Sequence, residues 1–294
     1  MQIVSHLCGN KLNIMVHLRL VPTTHVAFCT LRCRDQSVSK PFYLMMDFYV
    51  FSYSIYVMKQ NIDFIDNAIF QANKKILTDA NLIANDLNFS TNKDWFIVGG
   101  FVRDAVLNEL SGRVYKSKDV DIILSWKAYL ENNQNIISRQ ENSFGGLKLC
   151  TKNFHEIDIF NQVVVNPDYF IVSGFDFNCN AIYFSCSEQN IYASYHFYNF
   201  LLNQKIDIMN LHYTKCGMES IYPVYSTVSR ALKFQVVFRE KYNMNIELSD
   251  NVWYMLACMD KKAEFDMFQY MRQKVKDENI IAQMIKNYYV LKRQ

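Results

Sequence analysis

The chain has 294 residues and a mass of 34.7 kDa, which is enough to build one large hydrophobic core or two small ones. Half of the residues are hydrophobic and a fifth are charged, as is typical of a globular protein, and only 8 Gly and 4 Pro argue against long irregular linkers. The net charge of +3 comes from residues 1–57, which hold five basic and two acidic side chains, whereas the remaining residues carry 26 of each. A neutral remainder argues against tight nonspecific binding to nucleic acid, so any such contact must be a local patch.

The eight cysteines predict free thiols rather than crosslinks or a metal site. None of them forms a CxxC pair, so their spacing indicates neither a disulfide framework nor a zinc ribbon. Free thiols are typical of the reducing cytosol, which makes a cytoplasmic location the expected one. A metal site built from His17, His25, Cys29 and Cys33 is not expected either, because these residues lack the paired spacing of zinc ligands.

The first 57 residues differ from the rest and are interpreted as an atypical N-terminal extension. Residues 41–58 are aromatic and raise the question of a membrane span. Asp47 and two serines interrupt this stretch, and a spanning helix needs about 20 predominantly apolar residues. We therefore expect no membrane partner, and no signal-peptide cleavage pattern is visible. The composition shifts at Met58, which leads to the hypothesis that Met58 is the true first residue.

Regular patterns begin with residues 61–87, where Ile, Ala and Leu recur every three or four positions and predict an amphipathic helix. Residues 95–98 form a short apolar run that predicts a strand leading into Gly99 and Gly100. A double glycine allows a tight turn and leaves backbone N–H groups open to a phosphate, although an ordinary turn explains the same pair. The helical spacing of residues 101–110 would direct a helix N-terminus at that phosphate.

Two charged residues lie near the start of this predicted helix. Arg103 can pair with a phosphate or with a nearby acid. Asp104 is expected in the first turn, where the helix dipole favours a negative side chain. Taken alone, the glycines and these two residues are weak evidence of a ligand.

Asp119 and Asp121 alternate with apolar residues in a strand pattern. A period of two sets both carboxylates on one face of the strand and Val120 and Ile122 on the other. Two like charges side by side repel each other unless a cation lies between them, so the pair predicts a metal site. A solvated edge strand with alternating acids is the alternative.

A second acidic pair follows a predicted hairpin with strands near residues 134–142 and 147–151. Glu156 and Asp158 alternate with isoleucines and therefore share one face of the next predicted strand. A third carboxylate on a strand adjacent to the first pair would complete a two-metal site.

The remaining elements complete an α+β fold class. A hairpin is predicted over residues 181–185 and 190–194, then a helix over 195–202 and a strand over 205–211. No Gly or Pro occurs after Pro223, and three helices are predicted over residues 224–242, 248–259 and 263–293. We expect a mixed sheet with flanking helices over residues 58–222, followed by a small all-helical domain over residues 223–294. Packing of these last helices on the preceding domain is the preferred interpretation, and an RNA-contacting cap is the alternative.

Four motifs in this order resemble the nucleotidyltransferase superfamily of DNA polymerase β. They are GGFVRD at residues 99–104, DVD at 119–121, FDFNCNA at 175–181 and RALKF at 230–234. The GGFVRD form is similar to that of class II tRNA nucleotidyltransferases (CCA-adding enzymes) and of bacterial poly(A) polymerases. The two later motifs resemble the RRDFTxNA segment and the RxLRAxRF helix of that family.

The resemblance implies a nucleotidyltransferase head that transfers a nucleoside monophosphate from an NTP to a hydroxyl and releases pyrophosphate. It implies two Mg²⁺ ions on Asp119, Asp121 and a third acid, for which Asp158 is favoured and Glu156 is the alternative. The glycines and the arginine of the first motif would hold the triphosphate, the Asp and Asn of the third would shape the nucleotide pocket, and the helix arginine would line it. The implied nucleotide-binding residues are Gly99, Gly100, Arg103, Asp104, Asp176, Asn180 and Arg230.

Two departures from the family pattern bear on specificity. Gly174 and Phe175 replace the arginine pair before the DF dipeptide, which removes a contact near the sugar and phosphates. Ser226 and Thr227 stand where the family's EDxxR element has its two acids, so the protein template for choosing C and then A is incomplete. The expected acceptor is an RNA 3′ end of tRNA-like form. NMP transfer to a protein or small molecule, and an inactive relative that only binds nucleotide or RNA, are the alternatives.

Overall fold

A computed structural model describes residues 15–19, 28–32, 41–89, 94–115, 117, 119–126, 134–142, 145–210, 212–214, 217–219 and 222–293, and of residues 15–19, 28–32, 41–56, 212–214 and 217–219 the backbone alone. The chain divides into two compact units, Met1–Met58 and Lys59–Gln294. The predicted boundary between residues 222 and 223 lies inside the second unit. The histidines and cysteines at positions 17, 25, 29 and 33 lie outside the side chains that the structure describes.

The first unit contains two short strands, β1 (Met15–Arg19) and β2 (Phe28–Arg32), which pair antiparallel. Helix α1 (Pro41–Leu87) begins in this unit and ends in the second. Of the helices in the described ranges, none combines the length and the hydropathy that a membrane span requires.

The second unit is built on a seven-stranded mixed sheet. Its strands are β3 (Trp95–Val98), β4 (Asp119–Leu124), β5 (Ile136–Glu141), β6 (Leu147–Thr151), β7 (Glu156–Val163), β8 (Ile182–Ser185) and β9 (Asn190–Ala193). Their order across the sheet is β5-β6-β7-β4-β3-β8-β9. β4 and β7 are parallel neighbours, whereas the other neighbouring strands pair antiparallel.

Helices flank this sheet, and further helices follow it in the chain. They are α2 (Gly100–Ser111), α3 (Pro167–Ser173), α4 (Tyr195–Asn203), α5 (Val224–Tyr242), α6 (Asp250–Ala257), α7 (Lys261–Lys274) and α8 (Glu278–Leu291). Short strands outside the main sheet are β10 (Lys205–Ile206), β11 (His212–Thr214), β12 (Gly217–Glu219) and β13 (Glu247–Leu248). The predicted α+β class, a mixed sheet with flanking helices followed by a helical region, is confirmed.

The two faces of the sheet pack into separate cores because side chains alternate along each strand. On β4, Val120 and Ile122 are buried in the larger core with residues of α1, α2 and the C-terminal helices, whereas Ile123 is buried in a smaller core with residues of α3. Asp119 and Asp121 follow the alternation of Ile123. Their carboxylates therefore lie on the face that carries the smaller core.

The prediction of three C-terminal helices is wrong, since residues 222–293 contain four. The stretch predicted as one final helix is divided between α7 and α8, because the Asp277 side chain accepts hydrogen bonds from the backbone N–H groups of Asn279 and Ile280 and caps α8. The predicted strand over residues 205–211 is also wrong in extent. β10 contains two residues and pairs parallel with β13, outside the main sheet.

The cysteines with described side chains are free thiols, as predicted. They are Cys150, Cys179, Cys186 and Cys258.

Candidate active site

The parallel pairing of β4 and β7 gathers four acidic residues on one face of the sheet. Asp119 lies opposite Glu156, and Asp121 lies opposite Asp158. We call these four residues the carboxylate cluster. Local sequence explains why each pair shares a face, whereas the pairing of the two strands brings the pairs together.

The negative charges of the carboxylate cluster are only partly offset by nearby positive charges. Burial and then repulsion by Asp158 raise the pKa of Asp121 to about 7. Burial and then repulsion by Glu156 raise the pKa of Asp119 above its ordinary value. Carboxylate oxygens under mutual repulsion are the donors that Mg²⁺ prefers, so the chemistry of the cluster fits the implied metal.

Lys148 and Asn142, which sequence analysis did not single out, contact two of these acids. The Lys148 amine is paired with Oε1 of Glu156 and lies 3.9 Å from Oδ2 of Asp158, and Nδ2 of Asn142 donates to Oδ1 of Asp158 at 3.2 Å. Burial opposes the charge of Lys148, but the hydrogen bond to Glu156 and the charge of Asp158 raise its pKa. Within the described ranges, no three His, Cys, Asp or Glu side chains are already gathered closely enough to hold a metal ion.

The double glycine forms the turn between β3 and α2, next to the carboxylate cluster. Gly99 has a φ of 67°, a backbone conformation that disfavours other residues. A Cβ at Gly99 would lie 3.1 Å from Cζ of Phe175 and 3.7 Å from Oδ2 of Asp121. The helix begins at Gly100, and the first N–H groups of a helix lack intrahelical acceptors, so they can bind an anion beside the cluster.

Arg103 and Asp104 form a buried ion pair inside the molecule. Nε of Arg103 donates to Oδ1 of Asp104 at 2.7 Å, and Nη1 donates to Oδ1 of Asn180 at 2.6 Å. Burial opposes the charge of Arg103, but Asp104 raises its pKa above the ordinary value. The expectation that Asp104 lies in the first turn is wrong, because α2 has no acidic residue there. Phosphate binding by Arg103 stays a prediction.

Arg103 is also covered by two aromatic rings of α5. Its guanidinium carbon lies 5.1 Å from the ring centroids of both Phe234 and Phe238. These contacts, together with Asp104 and Asn180, explain why a charged side chain can be buried here. The arginine of the first motif thus joins α2 to α5.

Arg230 and Asp176 form a second ion pair. Nη1 of Arg230 lies 2.7 Å from Oδ2 of Asp176, whose side chain is fully buried. Burial raises the pKa of Asp176 to about 6, and the charge of Arg230 acts in the opposite direction. The Arg230 guanidinium also lies 4.8 Å from the ring centroid of Tyr222. Asp176 and Arg230 are therefore brought together, as are Asn180 and Arg103.

Lys233 is a further cation that sequence analysis missed. Among the described residues it forms no ion pair, and burial followed by repulsion from Arg103 and Arg230 lowers its pKa, whereas Asp119 acts to raise it. A signal was present in the sequence, since Lys233 follows Arg230 by three positions and shares its face of the helix. Lys233 is thus close enough to Arg103, Arg230 and Asp119 for their charges to act on it.

Ser226 and Thr227, which stand where the resemblance places two acids, are buried. Ser226 is 5% exposed and Thr227 is 0% exposed, both in the first turn of α5. Neither side chain is open to a nucleotide base in this arrangement.

Comparison with known proteins places the fold in a class. No protein-family model and no curated protein matches the chain. Among solved structures, the CCA-adding enzyme of Thermotoga maritima complexed with tRNA is similar, with a TM-score of 0.50, 17% identity, and coverage of 76% of this chain and 54% of that chain. A structure of tRNA-processing enzyme complex 3 has a TM-score of 0.44 and 14% identity, with coverage of 72% and 56%. The chain therefore spans about half the length of these structures. The fold is of the nucleotidyltransferase type.

Proposed function

We propose that the protein is a metal-dependent nucleotidyltransferase that moves a nucleoside monophosphate from an NTP to a hydroxyl and releases pyrophosphate. The observation that supports this most strongly is the register of β4 and β7, which sets Asp119, Asp121 and Asp158 on one face beside the turn at Gly99. We propose a tRNA-like RNA 3′ end as the acceptor. The likeness to a CCA-adding enzyme that was solved with tRNA supports this choice.

Each part of the site has a role in this reaction. Asp119, Asp121 and Asp158 would hold two Mg²⁺ ions. The positive charge of these ions would lower the pKa of the attacking hydroxyl and offset the negative charge of the phosphates. The open N–H groups at the start of α2 would bind triphosphate oxygens. Lys233 would donate to the phosphates that leave as pyrophosphate, since its ammonium group forms no ion pair with the described residues and can pair with an incoming anion.

An ion pair and a hydrogen bond give the nucleotide pocket fixed walls. Asp176 with Arg230 and Asn180 with Arg103 each join a residue between α3 and β8 to a helix arginine. Buried polar groups with specific partners have few alternative arrangements, so the segment between α3 and β8 is held against α2 and α5. We propose that this segment and Arg230 line the nucleotide.

A second candidate is NMP transfer to a protein or small molecule. The presence of Ser226 and Thr227 where the resemblance places two acids favours it, because neither provides a carboxylate for choosing a base. Transfer with little base preference would serve either acceptor.

Incubation of the protein with each labelled NTP, Mg²⁺ and total tRNA separates these functions. We expect label in RNA, whereas label in protein or a small molecule would support the second candidate. NTP binding without any incorporation would indicate an inactive relative. The Asp119→Asn/Asp121→Asn double variant should lose about a thousandfold in rate while keeping its circular dichroism spectrum. Retained transfer in this variant would refute the metal assignment.

A further inference from the structure

Lys148 enters the carboxylate cluster from the neighbouring strand. β6 runs antiparallel to β7, and Lys148 lies directly opposite Asp158 in the register. Its neighbours Leu147 and Leu149 pack on the larger core, so the alternation of β6 directs the lysine to the face that carries the acids. Strand pairing therefore sets the position of the Lys148 amine.

The lysine pairs closely with one of the four acids and lies farther from a second. Its amine is paired with Glu156, whereas Asp158 lies at the longer distance of 3.9 Å and accepts a hydrogen bond from Asn142. In the described part of the chain, no other Lys or Arg forms an ion pair with any of the four acids. Asp119 and Asp121 thus have no ion pair of their own there.

We propose that Lys148 is a positioning residue that withholds Glu156 from the metal ligands and competes with divalent cations for the carboxylate cluster. This inference rests on the proposed function, since it concerns the metal site of that reaction. The amine neutralises Glu156 and leaves Asp119, Asp121 and Asp158 as the ligand set. A cation that enters the cluster meets a positive charge beside Asp158, so Lys148 lowers the affinity of the site for metal.

Cation binding measured without nucleotide tests this directly. Mn²⁺ binding is followed by electron paramagnetic resonance, and Mg²⁺ binding by calorimetry. Lys148→Met should bind Mn²⁺ about fivefold more tightly than the unaltered protein, the effect expected for removal of one partly exposed opposing charge. Lys152→Met is the matched control, because the Lys152 amine lies just beyond the same strand and bonds Oδ1 of Asn135 at 2.9 Å instead of an acid. Unchanged Mn²⁺ affinity in Lys148→Met would overturn the proposal.

A double-variant cycle tests the role of Glu156. Glu156→Gln alone should weaken Mn²⁺ binding, because the released amine turns to Asp158. Lys148→Met should then tighten binding in the Glu156→Gln background as well, because it removes that amine from Asp158. Unchanged Mn²⁺ affinity when Lys148→Met is added to Glu156→Gln would contradict the proposal.

Thermal unfolding separates this inference from the proposed function. In the presence of a chelator, Lys148→Met should unfold at a lower temperature than Lys152→Met, because no internal cation then offsets the repulsion among the four acids. Added Mg²⁺ should reduce this difference in unfolding temperature. Absence of divalent cation binding in the unaltered protein would refute both proposals. Cation binding that depends on Lys148, without nucleotidyl transfer to any acceptor, would leave this inference standing and refute the proposed function alone.

Discussion

Nη1 of Arg230 lies 2.7 Å from Oδ2 of Asp176, and this ion pair joins α5 to the segment between α3 and β8. The acid is fully buried, whereas about a quarter of the arginine side chain is exposed. A carboxylate this deep is costly to ionise without its partner. The contact therefore makes the position of the segment between α3 and β8 depend on α5.

Replacing Arg230 by Met should destabilise the protein in a pH-dependent way. Asp176 has a pKa raised to about 6, so its protonated form favours folding, and stability is lost as pH rises from the ordinary carboxyl pKa through about 6. Without Arg230 this pKa rises further and the loss grows. We expect Arg230→Met to lower the free energy of unfolding by about 3 kcal/mol at pH 8 and by less at pH 5.

Urea denaturation at both pH values measures this difference. The Arg230→Met/Asp176→Asn variant is the control, since it lacks the buried acid and should show a deficit that does not change with pH. An equal deficit at pH 5 and pH 8 in Arg230→Met would contradict the prediction.

Substitution of Gly99 by Ala should cost more stability than substitution of Gly112. Both glycines have positive φ, but a Cβ at Gly112 has nothing within 4 Å, whereas a Cβ at Gly99 would lie 3.1 Å from the Phe175 ring. We expect a loss of about 2–3 kcal/mol for Gly99→Ala and about 1 kcal/mol for Gly112→Ala. Adding Phe175→Leu to Gly99→Ala should restore part of the loss. Chemical denaturation measures all three variants, and equal losses at both glycines would exclude the Phe175 contact as a cause.

Lys233→Met should separate stability from nucleotide binding. The lysine is partly buried near Arg103 and Arg230, and its pKa is lowered by burial and by these charges. Removing the charge should leave the free energy of unfolding unchanged or raise it by up to about 1 kcal/mol. NTP affinity, measured by calorimetry, should fall about tenfold if the amine contacts phosphate. The exposed Lys262 on α7 provides the control variant Lys262→Met, and equal NTP affinity in the two variants would refute the role.

Arg103→Met should lower the stability of the folded protein. It leaves Asp104 and Asn180 buried without their partner, for which we expect a loss of about 3–5 kcal/mol in the free energy of unfolding. The Arg103→Met/Asp104→Asn variant should recover part of it. A variant that keeps its stability and loses only NTP affinity would instead support the phosphate contact that the family resemblance implies.

Much of the local structure could be predicted from the sequence. The strand over residues 95–98 and the helix over 224–242 have the predicted limits, and α2 extends the predicted helix by one residue at each end. These patterns are periods of two and 3.6 that neighbouring residues define. The prediction of one final helix was wrong because residues 263–293 contain no Gly or Pro to mark a break, and the helix cap at Asp277 was not recognised. The strand over residues 205–211 was wrong because its apolar pattern does not say which strand it pairs with.

The sequence by itself determined that Asp119 and Asp121 share a face, that Glu156 and Asp158 do the same, and that a glycine turn precedes a helix. Side-chain alternation along a strand is local, so no partner needs to be known. Only the tertiary structure decided that the two acidic pairs lie opposite each other, that Lys148 pairs with Glu156, and that Arg103 turns inward to Asn180. Strand order and ion-pair partners depend on contacts between residues far apart in the chain, and packing of the whole core selects among them.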